Sequence, residues 1–142
     1  MTNNKTILLT GGTGSFGKEF TKLLLKTYTN NKFKIYIYSR DELKQFEMKN
    51  EINDNRVNYI VGDIRDYDRL LNLKIKPNFI VHAAAMKQIV TSELNPSECI
   101  KTNILGTQNL LNYSLNLKNC NFLSLSTDKA VNPINLYGAT KL

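Results

Sequence analysis

Tyr137 and Lys141 stand four residues apart near the end of the chain. If they open a helix, their side chains share one face. A free phenol has a pKa near 10, so a tyrosine that removes protons near pH 7 needs a drop of roughly three pH units, about 4 kcal/mol. A neighbouring ammonium and a second cationic group supply such a drop together. A Tyr-x-x-x-Lys pair alone is a common accident, and its context must give it meaning. That context begins at the other end of the chain, in Thr10-Gly11-Gly12-Thr13-Gly14-Ser15-Phe16-Gly17. A short apolar run precedes this loop and a helical pattern follows it. Gly11 permits a tight turn off the strand, Gly14 lets the backbone approach a pyrophosphate, and Gly17 lets the helix pack closely on the sheet. The helix N-terminus then offers free N–H groups to phosphate. The spacing predicts a dinucleotide site with Gly11, Thr13, Gly14, Ser15, Phe16 and Gly17 as its contacts.

The next candidates sit where a second strand ends, at Tyr38-Ser39-Arg40-Asp41. An acidic residue at this tip would bond a ribose 2′-hydroxyl and select NAD. A serine and an arginine suit a 2′-phosphate instead, with Lys44 adding charge one helical turn later. The expectation is NADP. A plain surface pair at a helix start, with Asp41 as N-cap, is compatible with that role. Thr127-Asp128-Lys129 follows a strand directly, and ligands bind at the carboxyl ends of parallel strands. The bland reading of Asp128 and Lys129 is a solvated loop pair. Lys87 either meets a phosphate of cofactor or substrate or stands exposed. His82 reads as a packed strand residue rather than a base, and Cys99 and Cys120 as packing residues rather than redox groups.

The elements that must position these residues alternate. Strands are expected at Lys5–Thr10, Phe33–Tyr38, Val57–Val61, Asn78–Ala85 and Asn121–Ser126. Helices are expected at Ser15–Tyr28, ended by Asn30-Asn31, at Asp41–Lys49, at Asp66–Leu73 and from Pro96 through Leu117, with another beginning at Gly138. Strands separated by helical stretches mean βαβ units and a parallel sheet. The expected fold is α/β: a Rossmann-type, doubly wound parallel sheet of five strands forming one domain over residues 1–142. A chain ending on a barely begun helix suggests an incomplete domain at the N-terminal part of a longer protein.

Composition bounds the rest. The chain has 142 residues, 42% hydrophobic and 22% charged, with a net charge of +7. This is a globular composition, with no apolar run near the roughly 18 residues of a membrane span. The start, Met1-Thr2-Asn3-Asn4-Lys5, lacks a signal-peptide layout, so the chain reads as cytoplasmic. Two cysteines make neither a disulfide scaffold nor a four-ligand zinc site, and no metal site is expected. A basic balance points to an anionic partner. The lysines are scattered and no block of five like charges exists, which argues against nucleic acid and membrane surfaces.

These motifs together resemble the extended short-chain dehydrogenase/reductases. Gly62-Asp63-Ile64-Arg65-Asp66 resembles that family's third-strand end, where Asp63 and Ile64 would meet the adenine. His82-Ala83-Ala84-Ala85 resembles its fourth-strand segment, putting Ala83 and Ala84 against the cofactor. Lys101-Thr102-Asn103 resembles the helix segment whose asparagine braces the active-site region, and Tyr137-x-x-x-Lys141 the catalytic pair. Ser39-Arg40-Asp41-Glu42-Leu43-Lys44-Gln45, Ala84-Ala85-Met86-Lys87-Gln88, Glu98 to Asn103 and above all Leu125 to Gly138 are similar to the inverting UDP-N-acetylglucosamine 4,6-dehydratases. Members of that group are more than twice as long and homo-oligomeric.

The resemblance implies a UDP-sugar substrate, UDP-N-acetylglucosamine first, and NADP. It gives Tyr137 the C4 hydroxyl proton, Lys129 the C5 proton and Asp128 the departing C6 hydroxyl, with Thr127 holding the sugar hydroxyl and Tyr137 in line. Two other readings stay open. One is a 4-epimerase or reductase of the same fold, which needs Tyr137 and Lys141 but no elimination acid and base. The other is a nucleotide-binding remnant without catalysis.

Overall fold

A computed structural model describes residues 5–29 and 32–142. The expected end of the first helix at Asn30-Asn31, and Met1 to Asn4, lie outside the described residues. The five strands are β1 (Lys5–Thr10), β2 (Phe33–Ser39), β3 (Val57–Val61), β4 (Phe79–His82) and β5 (Asn121–Ser124). All neighbouring pairs are parallel, in the order β3-β2-β1-β4-β5. The chain winds outward from β1 in one direction and then from β4 in the other. The switch point therefore lies between β1 and β4, where the carboxyl ends leave a crevice. The register levels those ends: Thr10 pairs with both Tyr38 and His82, Ser39 with Val61, and His82 with Ser124.

Alternation along β1 builds two cores. Leu9 points to one face with Ile35, Ile37, Met48 and Val81, and Phe20 and Leu24 pack on it. These last two bring α1 (Ser15–Thr27) to that face, and Met48 brings α2 (Glu42–Glu51). Leu8 points to the other face with Ile80, Leu70, Leu110 and Tyr113, from α3 (Tyr67–Leu71) and α6 (Gly106–Leu115). Both faces are covered, as an all-parallel sheet requires.

The connection after β4 departs from the sequence expectation. β4 ends at His82 rather than Ala85, and a helix not foreseen, α4 (Ile89–Leu94), precedes Pro96. Proline restricts Asn95, which sits at φ −133° and ends α4, and it opens α5 (Pro96–Ile100) at the first helical position. The single helix expected from Pro96 to Leu117 is interrupted. A turn of π-helix spans Lys101–Leu105 before α6 resumes and stops at Leu115. The wider turn lets the consecutive residues Thr102 and Asn103 both be buried. β5 ends at Ser124, two residues short of expectation. A 3₁₀ turn (Asp128–Ala130) and α7 (Leu136–Ala139) follow, and α7 starts before Gly138.

Candidate active site

The glycine loop is built by steric necessity at two points. Gly11 has φ +66°, and a Cβ there would lie 2.6 Å from Ala84 N. A Cβ on Gly17 would strike the backbone of Gly12. Gly17 thus packs α1 against the loop itself rather than on the sheet, and it does not line the cleft. α1 begins with Gly14 as a bare N-cap, with no acidic residue in the first turn. Its first N–H groups and positive dipole end are left for an anion.

A cleft of about 780 Å³ opens above this loop along the carboxyl ends of the strands. Gly11, Thr13, Gly14, Ser15 and Phe16 line its base; Ser39, Arg40, Lys44, Asp63 and Ile64 line one end; Ala83, Ala84 and Lys87 form a wall. At the first end, Asp41 caps α2 by accepting from Lys44 N at 3.0 Å, as the sequence allowed. Asp63 accepts from Arg65 Nε at 2.9 Å and from its NH2 at 2.7 Å, with Arg40 more distant at 3.9 Å. Burial works to raise the Asp63 carboxyl, but the hydrogen bonds and charge of Arg65, aided by Arg40, hold it below its ordinary value. Arg65 is also held by Glu98, and Asn109 donates to the carbonyls of Ile64 and Arg65 at 3.1 Å each. The loop that would meet an adenine is therefore braced from α5 and α6.

Tyr137 and Lys141 line the same cleft at its other end, with Leu125 and Ser126. Tyr137 is 9% exposed. Lys141 Nζ donates to Leu125 O at 3.2 Å, and burial pushes its ammonium below the usual lysine range. Asn103 holds this end together. Its Oδ1 accepts from Met86 N at 2.8 Å, and its Nδ2 donates to Met86 O and to Thr140 Oγ1, each at 2.9 Å. Thr140 Oγ1 donates to Tyr137 O at 2.8 Å. The bracing asparagine implied by the resemblance is thus a link between the alanine wall and the tyrosine turn.

Thr127, Asp128 and Lys129 are not brought into this cleft. Thr127 Oγ1 donates to Asp128 Oδ1 at 2.9 Å instead of holding Tyr137. Lys129 Nζ lies 3.4 Å from Asp128 Oδ1, with side chains 44% and 87% exposed. The bond from Thr127, then Lys129, holds the Asp128 carboxyl below its ordinary value. Lys129 faces a smaller neighbouring hollow of about 510 Å³ that Lys87 shares with the main cleft. The 3₁₀ turn still abuts the tyrosine helix, because a Cβ on Gly138 would strike the Lys129 carbonyl.

His82 is fully buried, matching its sequence reading as a packed strand residue. Thr107 Oγ1 gives its proton to Asn103 O at 2.6 Å, so it must accept from His82 Nε2 at 2.9 Å. Nδ1 then accepts from Thr10 Oγ1 at 2.7 Å. Burial, with the charge of Lys141, pushes the imidazole down to about 4. It is a neutral structural group.

The cleft also contains residues that sequence reasoning missed. Tyr38 spans its floor, with Gly62 flat against the ring, and Tyr38 OH donates to Asp63 O at 3.0 Å. Thr102, 4% exposed, lines the cleft, and its Oγ1 has no hydrogen-bond partner. A bare helix N-terminus, a crevice at the switch point and an orphaned buried hydroxyl fit a polar, phosphorylated dinucleotide.

The sequence profile described as "Polysaccharide biosynthesis protein" matches residues 7–142. The chain belongs to this family. Among curated relatives, the UDP-N-acetylglucosamine 4,6-dehydratase (inverting) of Campylobacter jejuni is 56% identical over 144 residues, covering 100% of this chain and 42% of the relative. A UDP-glucose 4-epimerase of Rickettsia rickettsii is 44% identical over 139 residues, covering 97% of this chain and 41% of its own length. The X-ray structure of Pen from Bacillus thuringiensis superposes with a TM-score of 0.89 at 35% identity, covering 99% of this chain and 43% of that one. The chain thus spans about two fifths of the length of these family relatives. The likeness to the inverting dehydratases seen in the sequence is borne out.

Proposed function

We infer that this chain is the cofactor-binding and catalytic-segment part of an NADP-dependent UDP-N-acetylglucosamine 4,6-dehydratase that inverts C5. One observation carries the reading: Tyr137 and Lys141 line the same cleft as the bare N-terminus of the glycine-loop helix. A dinucleotide with its pyrophosphate on Gly14 and Ser15 would extend its adenosine toward Ser39 and Arg40 and its nicotinamide toward Tyr137. Ser39, Arg40 and Lys44 would hold the 2′-phosphate of NADP. When bound, the nicotinamide would supply the acceptor for a hydride from C4 of the sugar and its return to C6.

The protein's residues move the protons. Tyr137 takes the proton of the C4 hydroxyl, with the half-buried Lys141 lining the same end of the cleft. A ketone at C4 acidifies C5–H, which Lys129 removes. Asp128 protonates the departing C6 hydroxyl, and reprotonation of C5 from the opposite face inverts it. Polysaccharide or glycan precursor synthesis would use such a product.

A second reading has its own support. Asp128 and Lys129 stand outside the cleft, and a UDP-glucose 4-epimerase is 44% identical. Epimerisation needs Tyr137 and Lys141 alone. The deciding experiment replaces the matched segment of the Campylobacter jejuni relative with residues 1–142. The dehydratase reading expects formation of a 4-keto-6-deoxy sugar from UDP-N-acetylglucosamine, abolished by Tyr137→Phe. Simple C4 epimerisation, or no turnover by a folded chimera that binds NADP⁺, overturns it.

A further inference from the structure

Next to Ser39 lies a buried amide whose orientation is decided by its partners. Gln45, on the first turns of α2, is 5% exposed. Its Nε2 lies 3.1 Å from Ser39 O, 2.9 Å from Ile60 O and 2.9 Å from Ser39 Oγ. The oxygen and nitrogen of a side-chain amide have the same outline, and only partners tell them apart. Two of the partners here are main-chain carbonyls, which accept and never donate. The nitrogen must face them. The nitrogen shares its two protons among these three oxygens and has no lone pair to accept with, so Ser39 Oγ can only accept from Gln45 and cannot donate to it. The hydroxyl's own proton must be placed elsewhere.

We propose that Gln45 is a specificity-positioning residue that turns the Ser39 hydroxyl into a donor aimed at the cleft, which favours a phosphate ester over a free ribose hydroxyl. The proposal rests on the dinucleotide reading above. Ser39 lines the cleft together with Arg40 and Lys44, so this corner presents donors and positive charge. A phosphate accepts from all of them. A ribose hydroxyl can also accept the Ser39 proton, but it brings a further proton to place and no charge to match Arg40 and Lys44, and the nearby carboxylates already have partners. Asp41 caps α2 and lies 3.6 Å from Lys44 Nζ. Asp63 is wrapped by Arg65. The strand tip lacks the acid that would select NAD, and the second turn of the following helix supplies the group that arms its serine.

Gln45→Glu reverses the arrangement, because a carboxylate oxygen facing Ser39 takes the hydroxyl proton for itself. Calorimetric titration of the chain with NADP⁺ and NAD⁺ reads the effect. The unaltered protein is expected to prefer NADP⁺. Gln45→Glu and Ser39→Ala should each lower NADP⁺ affinity by about tenfold, the loss of one hydrogen bond to a charged group, while NAD⁺ affinity holds. The double variant should bind NADP⁺ no more weakly than Ser39→Ala alone, since Gln45 acts through that hydroxyl. General loosening of the strand tip would lower both affinities and would add in the double variant. A folded Gln45→Glu protein with an unchanged NADP⁺/NAD⁺ ratio, or full additivity, overturns the proposal. If Gln45→Glu does not fold, Ser39→Ala decides: an unchanged ratio overturns it. If the unaltered chain binds neither dinucleotide, the cofactor reading fails and the proposal falls with it, an outcome distinct from equal ratios in the variants.

Discussion

Arg40 and His82 show two ways in which one side chain is committed by its surroundings. Arg40 is loosely held. Its guanidinium lies 3.9 Å from Asp63, whose closer bonds all come from Arg65. It is thus available to a ligand, and Arg40→Ala is expected to weaken NADP⁺ binding by about 2 kcal/mol while sparing NAD⁺. Calorimetry with both dinucleotides checks this, and equal losses for the two would remove Arg40 from the 2′-phosphate site. His82 is the opposite case, with both ring nitrogens used by Thr10 and Thr107 and its pKa pushed down to about 4 by burial. The ordinary value is near 6.5. Between those pH values the unfolded chain takes up a proton that the folded chain refuses, so folding stability falls as pH falls through this window. The full loss is roughly 3 kcal/mol below pH 4, because each tenfold weakening of proton binding on folding costs about 1.4 kcal/mol. Urea denaturation at pH 7 and pH 4.5 should show it. His82→Gln, which has no proton to gain, should have a shallower pH dependence, and identical slopes would assign the acid sensitivity to carboxylates alone.

The elements divide into those a local pattern specifies and those that long-range packing decides. β1 to β3 and their helices were legible because apolar residues recur with a period of 2 or 3.6 and are punctuated by glycine and capping residues. Asp41 at the start of α2 is both the predicted cap and the observed one. The π-helical turn at Lys101–Leu105 was not legible, because the apolar spacing from Pro96 onward satisfies an ordinary helix and the pull on Asn103 comes from Met86 and Thr140, far away in sequence. α4 escaped for a related reason. Ile89 is 38% and Val90 72% exposed, so it carries no buried apolar stripe to read. Of the site, the glycine loop and the tyrosine pair were legible from spacing. Thr102 and Tyr38 were not, since nothing local marks them as facing a cleft, and neither was Gln45, whose contact with Ser39 lies behind the cleft wall. The π-helical turn gives a sharp prediction. Asn103→Ala removes its bonds to the half-buried main chain of Met86 and to Thr140, which keeps only its bond to Tyr137 O, for a loss of about 3 kcal/mol in stability. The midpoint of urea unfolding checks it. A loss below 1 kcal/mol, roughly the worth of a single neutral hydrogen bond, would mean that Asn103 does not join the alanine wall to α7.

At the scale of the whole molecule, the cleft is firmly braced and its surroundings past β5 are open. The braces are Asn109 and Glu98 on the Asp63 loop, Asn103 on the wall and Ala84 over Gly11. Beyond the other end of the cleft, and outside it, Asp128 and Lys129 stand in solvent, with Val131 80% and Ile134 94% exposed nearby in the chain. No helix among the described residues is long and apolar enough to cross a membrane. The relatives are more than twice as long, and the chain covers 42% of the dehydratase. A protein of residues 1–142 alone is therefore expected to bind the dinucleotide and to form no 4-keto sugar. Lysine is a proton acceptor only when uncharged, and desolvation is what favours that state. As the proposed C5 base, Lys129 would need a cover over its loop, from the substrate and from segments such as the longer relatives carry. The chimera that carries this chain in the Campylobacter jejuni relative provides one. In deuterated water, with UDP-N-acetylglucosamine, the unaltered chimera should place solvent deuterium at C5 of the product. Lys129→Ala should still oxidise C4, because Tyr137 and Lys141 are untouched, and bound reduced cofactor should accumulate without C5 exchange. Exchange at the unaltered rate in Lys129→Ala would assign the base to another residue. Asp128 and Lys129 would then be what their exposure makes them in this structure, an ion pair on a solvated loop.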